Sequence, residues 1–212
     1  MSTDEGTRTA RRPRVDGARS RAAILRKAAA LATVDGLEGL SIGTLAAAVG
    51  ISKSGLFAHF GSKEELQLAT VAEAERILTE EVIQPALAAP AGLGQLQAVC
   101  EAFFGYVERR VFPGGCFFAT TSMEMGTRPG PVRDRLAAIQ TDFTELLRSF
   151  ARSAVQQHEL PADEDPDALA FELHSLLLGA DTKFVLHDDP AVFELARAVV
   201  SRRLGSTGDA AG

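Results

Sequence analysis

The sequence of 212 residues contains no tryptophan, one tyrosine and two cysteines. Two cysteines, Cys100 and Cys116, are too few for a disulfide framework and are typical of a protein in a reducing compartment. No apolar run approaches the roughly 18 residues that a membrane-spanning helix requires. The polar, arginine-rich stretch at residues 1–14 does not resemble a secretory signal. Together these absences predict a soluble protein of the cytoplasm.

The short motifs of common enzyme classes are also missing. The sequence has no Gly-x-Ser-x-Gly elbow, phosphate-binding loop, dinucleotide fingerprint or His-Glu-x-x-His pair. His187-Asp188-Asp189 contains metal-ligand residue types, but three consecutive positions are more typical of an exposed helix end and its cap. We therefore predict that the chain is not an enzyme and that it binds neither a metal ion nor a cofactor.

The charge of the chain is unevenly distributed. Overall, 28 acidic and 22 basic residues give a net charge of -6, which argues against a simple polyanion-binding protein. Between Arg8 and Lys63, however, ten Lys or Arg and three Asp or Glu give a net charge of +7. Residues 64–212 carry twelve basic and 23 acidic groups, a net charge of -11. The basic first quarter therefore predicts a contact with a polyanion, and the acidic remainder predicts a different role.

The apolar pattern indicates helices throughout. Apolar residues make up 46% of the sequence, enough for a folded core. Aliphatic residues recur every three or four positions and alanine is abundant, which predicts an all-α fold of about nine helices without strands. The first helix is predicted from about Ala18 to Val34, and the fourth ends near Val82 because Pro85 follows. In chain order we predict a disordered basic arm, a small helical domain, a larger helical domain and a disordered tail, at 1–17, 18–75, 76–204 and 205–212.

The most informative stretch runs from Ser41 to Lys63. It predicts two short helices joined by a tight turn at Gly50-Ile51-Ser52, with a polar, exposed start to the second helix. In a helix-turn-helix protein, the first residues of that second helix enter the major groove of DNA. The spacing fits an ordinary helical hairpin equally well, so spacing alone leaves both alternatives open.

The same residues resemble the TetR family of transcriptional regulators. The resemblance covers about Ser20 to Ala74 and depends on VGISK at 49–53, His59-Phe60 and SKEEL at 62–66. It implies a homodimer with N-terminal helix-turn-helix domains that bind a palindromic operator. It also implies larger C-terminal domains that dimerise and bind a small molecule. Repression is the commoner mode in the family, so we expect a repressor.

The resemblance assigns candidate DNA contacts residue by residue. These are Thr44, Ser52, Lys53, Ser54, Gly55, Phe57, His59 and Lys63. Phe57 stands where the family usually has a tyrosine, so it offers only apolar contact. Gly43 and Gly55 also replace residues with side chains, which leaves the operator sequence open. The arginines of the basic arm, Arg8, Arg11, Arg12 and Arg14, either contact DNA or belong to a solvated tail.

The family also implies an effector pocket and a dimer interface in the larger domain. Aromatic and apolar residues at helical spacing are the pocket candidates, although such stripes more often form core: Phe103, Phe104, Tyr106, Val107, Phe118, Phe143, Leu147 and His174. A pocket of this kind favours a hydrophobic or aromatic effector. For the interface, the last two helices supply both bulky and small residues: Leu169, Leu173, Leu176, Leu177, Gly179 and Ala180.

Two other interpretations remain open at this point. Gly114-Gly115-Cys116 resembles a subgroup of the family, and a cysteine near a helix N-terminus can become a reactive thiolate. Cys116 is thus either a redox or electrophile sensor or a small buried apolar residue. Alternatively, the protein regulates transcription without any small-molecule ligand.

Overall fold

The computed structural model describes residues 12–205, with side chains described from Arg21 onward. The helices in this part of the chain, in order, are α1 (Arg12–Asp35), α2 (Ile42–Val49), α3 (Lys53–Phe60), α4 (Lys63–Leu78), a π-helical segment (Thr79–Ile83), α5 (Gln84–Leu87), α6 (Leu93–Glu108), α7 (Phe117–Met125), α8 (Pro131–Gln156), α9 (Pro166–His187) and α10 (Ala191–Leu204). No strand occurs within residues 12–205. Since α4, the π segment and α5 are continuous, nine helical rods are present in that range, and the predicted all-α class is confirmed.

The first helix begins earlier than predicted. It starts at Arg12 rather than near Ala18, so residues 12–17 of the proposed disordered arm are helical. The added segment contains Pro13 and Gly17, so helix propensity does not explain it, but a proline is tolerated in the first turn of a helix. The remainder of the arm, including Arg8 and Arg11, lies outside the described residues, as do residues 206–212 of the tail.

The fourth helix continues past the predicted stop. The chain remains helical to Leu87 because the π segment resets the hydrogen-bond pattern: the Gln84 N–H donates to the Thr79 carbonyl, five residues back. Pro85 lies just after the π segment and cannot donate a helical hydrogen bond, yet the chain stays helical on both sides of it. Our prediction of an end near Val82 was wrong because it took Pro85 as a stop, whereas the chain changes its hydrogen-bond pattern just before this residue.

One contiguous core joins the small and large domains. α1 packs on α4 and on α7, while α8 packs on both α4 and α9. α6 lies against α8, α9 and α10 and contributes the buried Leu96, Val99 and Phe104. α7 is therefore placed between the N-terminal helices and the rest of the larger domain.

None of the helices in the described residues is both long enough and apolar enough to cross a membrane. Nor does that part of the chain contain a group of three or more His, Cys, Asp or Glu side chains placed to hold a metal ion.

Candidate DNA-binding and effector-binding sites

The α2–α3 unit is fixed by helix caps and a small apolar core. Ser41 caps α2: its hydroxyl accepts from the Thr44 N–H at 3.1 Å, and the Thr44 hydroxyl accepts from the Ser41 N–H at 3.0 Å. Gly50 closes α2 with φ of 71°, a conformation that glycine adopts without strain. Leu56 and Phe60 are buried, so α3 lies on that face and turns its opposite face to solvent. The predicted helix-turn-helix arrangement is present.

The first turn of α3 is exposed, but its residues are not equally free to contact DNA. The Ser52 hydroxyl accepts from the Gly55 N–H at 3.1 Å and lies 3.2 Å from the Ser54 hydroxyl. Ser52 and the Gly55 backbone are therefore used in capping. Lys53 is exposed, and the ring of Phe57 is 56% exposed. A large apolar side chain so open to solvent beside a lysine is suited to a sugar or thymine methyl.

Gly43 has a role that the sequence did not reveal. A Cβ built at this position would lie 3.3 Å from Lys53 Cε and 3.5 Å from its Nζ. The lysine side chain therefore lies over the first turn of α2, in space that a side chain at position 43 would occupy. The absence of a side chain at Gly43 thus determines where the Lys53 ammonium group sits.

Two other predicted DNA contacts are already engaged within the chain. The Thr44 hydroxyl belongs to the α2 cap and donates to the Ser41 carbonyl at 3.0 Å. The Lys63 ammonium group donates to Glu38 at 2.7 Å, and Arg128 lies 3.6 Å from the same carboxylate. The hydrogen bond from Lys63 lowers the pKa of Glu38, with the charge of Arg128 acting in the same direction. Lys63 would have to exchange Glu38 for a phosphate on binding DNA. His59 is exposed on the last turn of α3.

A small apolar cavity lies where α4, α6, α7, α8 and α9 meet. Its lining residues are Leu78, Phe103, Cys116, Phe118, Ile139, Gln140, Phe143, His174 and Leu178. Four of the eight predicted pocket residues are therefore brought together: Phe103, Phe118, Phe143 and His174. The cavity volume is about 20 Å³, enough for about one water molecule. A larger ligand would have to push the lining helices or side chains apart.

The other four predicted pocket residues belong to the core around this cavity. Phe104 packs against Phe193, with ring centroids 5.8 Å apart, on the side that faces α10. Val107 and Leu147 are buried and do not line the cavity. Tyr106 is buried beside Cys116. Sequence reasoning missed five lining residues: Leu78, Cys116, Ile139, Gln140 and Leu178. Of these, Ile139 continues the apolar stripe of Phe143 one turn earlier on α8.

Three polar groups lie in or next to the cavity. His174 Nδ1 lies 3.0 Å from the Thr144 hydroxyl, and burial lowers the pKa of His174, which favours its neutral form. The Gln140 amide donates to the Phe118 carbonyl at 3.3 Å and to the Ser122 hydroxyl at 3.1 Å. The Tyr106 hydroxyl is buried and has no hydrogen-bond partner within the described residues. Because Tyr106 packs beside Cys116 and does not itself line the cavity, Gln140 and His174 are the polar groups that a ligand there would meet.

The carboxylate of Glu124 links the larger domain to the α2–α3 unit. It accepts from the backbone N–H of Leu37 at 2.7 Å and of Glu38 at 3.0 Å, in the turn between α1 and α2. The turn is also held by Gln67, whose amide donates to the Leu37 carbonyl at 2.8 Å. At the other end of the α7 region, the Gly114 N–H donates to the Thr33 hydroxyl at 3.1 Å. Movement of α7 would thus be transmitted to the turn that precedes α2.

Comparison with known proteins identifies the family. A model described as "Bacterial regulatory proteins, tetR family" matches residues 24–70, and one described as "Tetracyclin repressor-like, C-terminal domain" matches residues 92–200. The second match alone covers more than half of the chain. The chain belongs to the TetR family. It is a TetR-family transcriptional regulator with a DNA-binding helix-turn-helix domain.

Solved structures of other TetR-family regulators are similar over most of the chain. A regulator from Chloroflexus aurantiacus is 26% identical, with a TM-score of 0.81 over 89% of this chain and 95% of that one. AibR, solved with isovaleryl coenzyme A and operator DNA, is 24% identical, with a TM-score of 0.69 over 86% of this chain and 97% of its own. The ketosteroid regulator KstR2 of Mycobacterium tuberculosis is 17% identical, with a TM-score of 0.65 over 88% and 93% of the two chains. No curated protein matches the sequence.

In this TetR-family chain, Cys116 does not have the environment of a reactive thiol. It precedes α7 as its N-cap but is only 3% exposed. Burial, and secondly the charge of Asp181, raise the pKa of Cys116 to about 12, so the thiol stays protonated at neutral pH. The thiolate is the nucleophilic form, and this site suppresses it. Of the two alternatives for Cys116, this environment favours the small buried apolar residue over the sensor, because burial outweighs the helix N-terminus.

Most of the residues predicted for the dimer interface face the inside of their own chain. Leu169, Leu173, Leu177 and Ala180 are buried within the protomer, Leu176 is half-buried, and only Gly179 is exposed. The apolar spacing on α9 identified the side that packs against α8. The exposed apolar residues of the last two helices lie on other faces: Phe171, Val185, Leu186 and Leu195.

Proposed function

We propose that the protein is a repressor that binds a palindromic operator as a homodimer and leaves it when a small apolar effector binds. The observation that carries the DNA-binding part is the exposed start of α3, held by caps and a buried face so that Lys53, Ser54 and Phe57 point to solvent. The net charge of +7 between Arg8 and Lys63 supports a phosphate contact on this side of the molecule.

Within this proposal the DNA contacts have distinct roles. Lys53 and Ser54 would meet base edges or backbone at the start of α3, and Phe57 would make apolar contact. His59 and Lys63 would approach phosphates at its far end. Thr44 would contribute through the cap of α2, and Ser52 and Gly55 through that of α3. Of these, Lys53 is the cation nearest the helix N-terminus, so it is the first residue to test.

The homodimer would be formed by α9 and α10. Their exposed apolar residues, Phe171, Leu186 and Leu195, are 72%, 73% and 64% exposed in the protomer. Large apolar side chains this open are typical of a protein–protein interface. A two-fold axis through this face would present two α3 helices to successive major grooves, about 34–36 Å apart.

The effector would enter the cavity between α6, α7, α8 and α9 and widen it. Its apolar lining favours an apolar body, while Gln140 and His174, the polar side chains of that lining, favour one or two hydrogen-bonding groups. AibR, which shares the fold, was solved with both isovaleryl coenzyme A and operator DNA. This supports the proposal that a protein of this fold can bind both an effector and DNA. Widening the cavity would displace α7 and, through Glu124, the turn before α2.

The test begins with an operator. Palindromes in the DNA flanking the coding sequence are tested by fluorescence anisotropy, first with the wild-type protein. Lys53→Ala should weaken binding about ten-fold or more without changing the melting temperature, because Lys53 is exposed. Lys27→Ala, which removes an exposed lysine from α1, is the matched control. Equal binding by both variants would contradict the assignment of α3 as the reading helix.

The effector part is tested separately. A library of small apolar molecules is screened for increased melting temperature, and each hit is added to the protein–operator complex. Effectors should raise the melting temperature and release the DNA, and His174→Leu should weaken their binding. Ligands that stabilise the protein without changing operator affinity would favour the alternative of a regulator without a small-molecule signal.

A further inference from the structure

An apolar groove opens on the surface between α7 and the C-terminal half of α9. Its lining residues are Gly114, Ala119, Thr120, Met123, Asp181, Thr182, Val185 and Leu186, and its volume is about 470 Å³. The Met123 side chain is 84% exposed and that of Leu186 is 73% exposed. The groove is separate from the internal cavity, and nothing in the described chain covers it.

The groove continues a stripe along the exposed side of α9. The stripe consists of Phe171, Ser175, Gly179, Thr182 and Leu186, all exposed. Large apolar residues stand at its two ends and small residues between them. Phe171 and Leu186 lie equally far from the middle of the stripe, and so do Ser175 and Thr182. The sequence of large and small side chains is therefore nearly the same when the helix is followed in either direction. A helix with such a pattern complements an antiparallel copy of itself.

Gly179 lies at the middle of this stripe, and no contact among the described residues requires a glycine there. Its backbone is helical without a positive φ, and a Cβ built there would meet no atom within 4 Å. A glycine inside a helix costs about 1 kcal/mol relative to alanine. Close approach of a second helix is the gain that would offset this cost. The middle of α9 is therefore shaped for a helix from outside the protomer.

The charges beside the stripe also suit an antiparallel copy. Glu172 and Lys183 lie on the same edge of α9, at opposite ends of the stripe. Lys183 forms no ion pair within the described residues, whereas Glu172 accepts from Arg203 at 2.7 Å. In an antiparallel pair, each Lys183 would approach a Glu172 carboxylate across the interface. A parallel pair would instead place the two copies of this edge on opposite sides of the interface, where Lys183 and Glu172 could not pair.

From these features we infer that the groove between α7 and α9 is filled by Phe171 of the partner subunit. The inference rests on the proposed homodimer and adds to it a defined contact. Antiparallel pairing about the middle of the stripe places the partner's Phe171 beside Leu186, at the mouth of the groove. The exposed ring and the open apolar groove would bury each other, which is the usual origin of an interface hot spot. α7 would then contact the partner subunit directly, and it would contact the turn before α2 through Glu124.

Cross-linking provides the decisive test. Within one chain, positions 171 and 186 are separated by fifteen residues of helix, about 22 Å, so Phe171 cannot reach its own groove. In the variant carrying both Phe171→Cys and Met123→Cys, mild oxidation or a short thiol cross-linker should therefore join two subunits. Each single variant should give no cross-link, because antiparallel pairing holds the two identical positions far apart. The natural Cys100 and Cys116 are buried and should not compete.

Analytical sedimentation measures how much the Phe171 ring contributes to dimerisation. Phe171→Ala should weaken dimerisation at least ten-fold, while Leu87→Ala, a comparable exposed residue on α5, should leave it unchanged. A monomeric wild-type protein would overturn the proposed homodimer and this inference together. A dimer that binds its operator but is neither cross-linked in the double variant nor weakened by Phe171→Ala would overturn this inference alone.

Discussion

The α2–α3 unit and the internal cavity are built by different kinds of contact. In the α2–α3 unit, hydroxyl groups cap helices over a distance of three residues, as Ser41 does for Thr44 and Ser52 for Gly55. The cavity instead collects side chains from distant parts of the chain, from Leu78 on α4 to Leu178 on α9. One site is fixed by local polar bonds on an exposed surface. The other depends on how five helices pack, so it can change volume when they move.

This difference suits the two proposed tasks. A surface that reads DNA must present its side chains in a constant arrangement, and short-range caps provide that rigidity. A site that receives a signal needs a second arrangement close in free energy to the first. A nearly closed cavity between helices would reach such an arrangement by widening. Glu124 joins the two regions through bonds to the backbone rather than to a side chain that could rotate away.

The largest predicted effect concerns the support of α3. Leu56 is completely buried, so Leu56→Ala should cost about 2–5 kcal/mol of unfolding free energy and abolish operator binding. Phe57→Ala at the next position, where the ring is 56% exposed, should change stability by about 0.5 kcal/mol or less yet weaken operator binding. Chemical denaturation and operator titration measure the two effects. Equal losses of stability would show that α3 is not seated as described.

A second prediction concerns pH and the buried carboxyl group beside the α7 N-terminus. Asp181 is 3% exposed and accepts from the Cys116 N–H at 2.8 Å. Burial raises the pKa of Asp181 from 3.8 to about 6, against the opposing effect of that hydrogen bond. The protonated form is therefore favoured on folding. Its stabilising contribution is fully present below about pH 3.8 and is lost as the pH rises through about 6.

Asp181→Asn removes this titration but keeps an oxygen that can accept from Cys116. Relative to the wild type, the variant should gain stability between pH 4 and pH 7, by up to about 3 kcal/mol. Denaturation curves at a series of pH values measure the difference. Asp142→Asn on the exposed side of α8 should show no such trend. A difference between Asp181→Asn and the wild type that does not vary with pH would contradict the assignment.

The same contrast explains which features could be predicted from the sequence. The caps at Ser41, Ser52 and Ser62 are local features, because each serine acts on a residue three positions away, a spacing that is visible in the sequence. The reading surface at Lys53, Ser54 and Phe57 follows from those caps. The α4 boundary was wrong because a π segment is a small change in hydrogen bonding with no residue signature of its own.

The larger domain could be predicted only in part, since helical spacing does not say which neighbour a face meets. Phe103 and Phe104 are adjacent and equally apolar, yet one lines the cavity and the other packs against Phe193. The same ambiguity affected the dimer interface on α9. Leu173 and Leu177 belong to the strongest apolar stripe of α9, and that stripe is buried within the protomer.

A third prediction tests the link between the two regions. Glu124→Gln replaces the carboxylate with an amide that has one acceptor oxygen and no charge. The side chain can therefore no longer accept from the N–H groups of both Leu37 and Glu38. The variant should lose about 1–2 kcal/mol of stability, and its operator affinity should be several-fold weaker. Glu145→Gln on α8, far from the turn, should change neither. Unchanged operator affinity in Glu124→Gln would show that the link holds the turn without influencing how α2 and α3 meet DNA.

The smallest predicted effect concerns the ion pair between Lys63 and Glu38. Both side chains are more than 40% exposed, so the pair contributes little to stability. Its consequence should appear in DNA binding, because Glu38 competes with phosphate for the same ammonium group. Glu38→Gln should therefore strengthen operator binding about two- to five-fold and make it more dependent on salt, as expected when one more cation meets the DNA backbone. Removing any carboxylate near DNA could have part of this effect, so the gain is measured again in the presence of Lys63→Gln. If Glu38 acts by occupying Lys63, the gain disappears in the double variant. If the gain persists, it comes from the release of Arg128 or from direct repulsion by Glu38, and competition for Lys63 is not its cause.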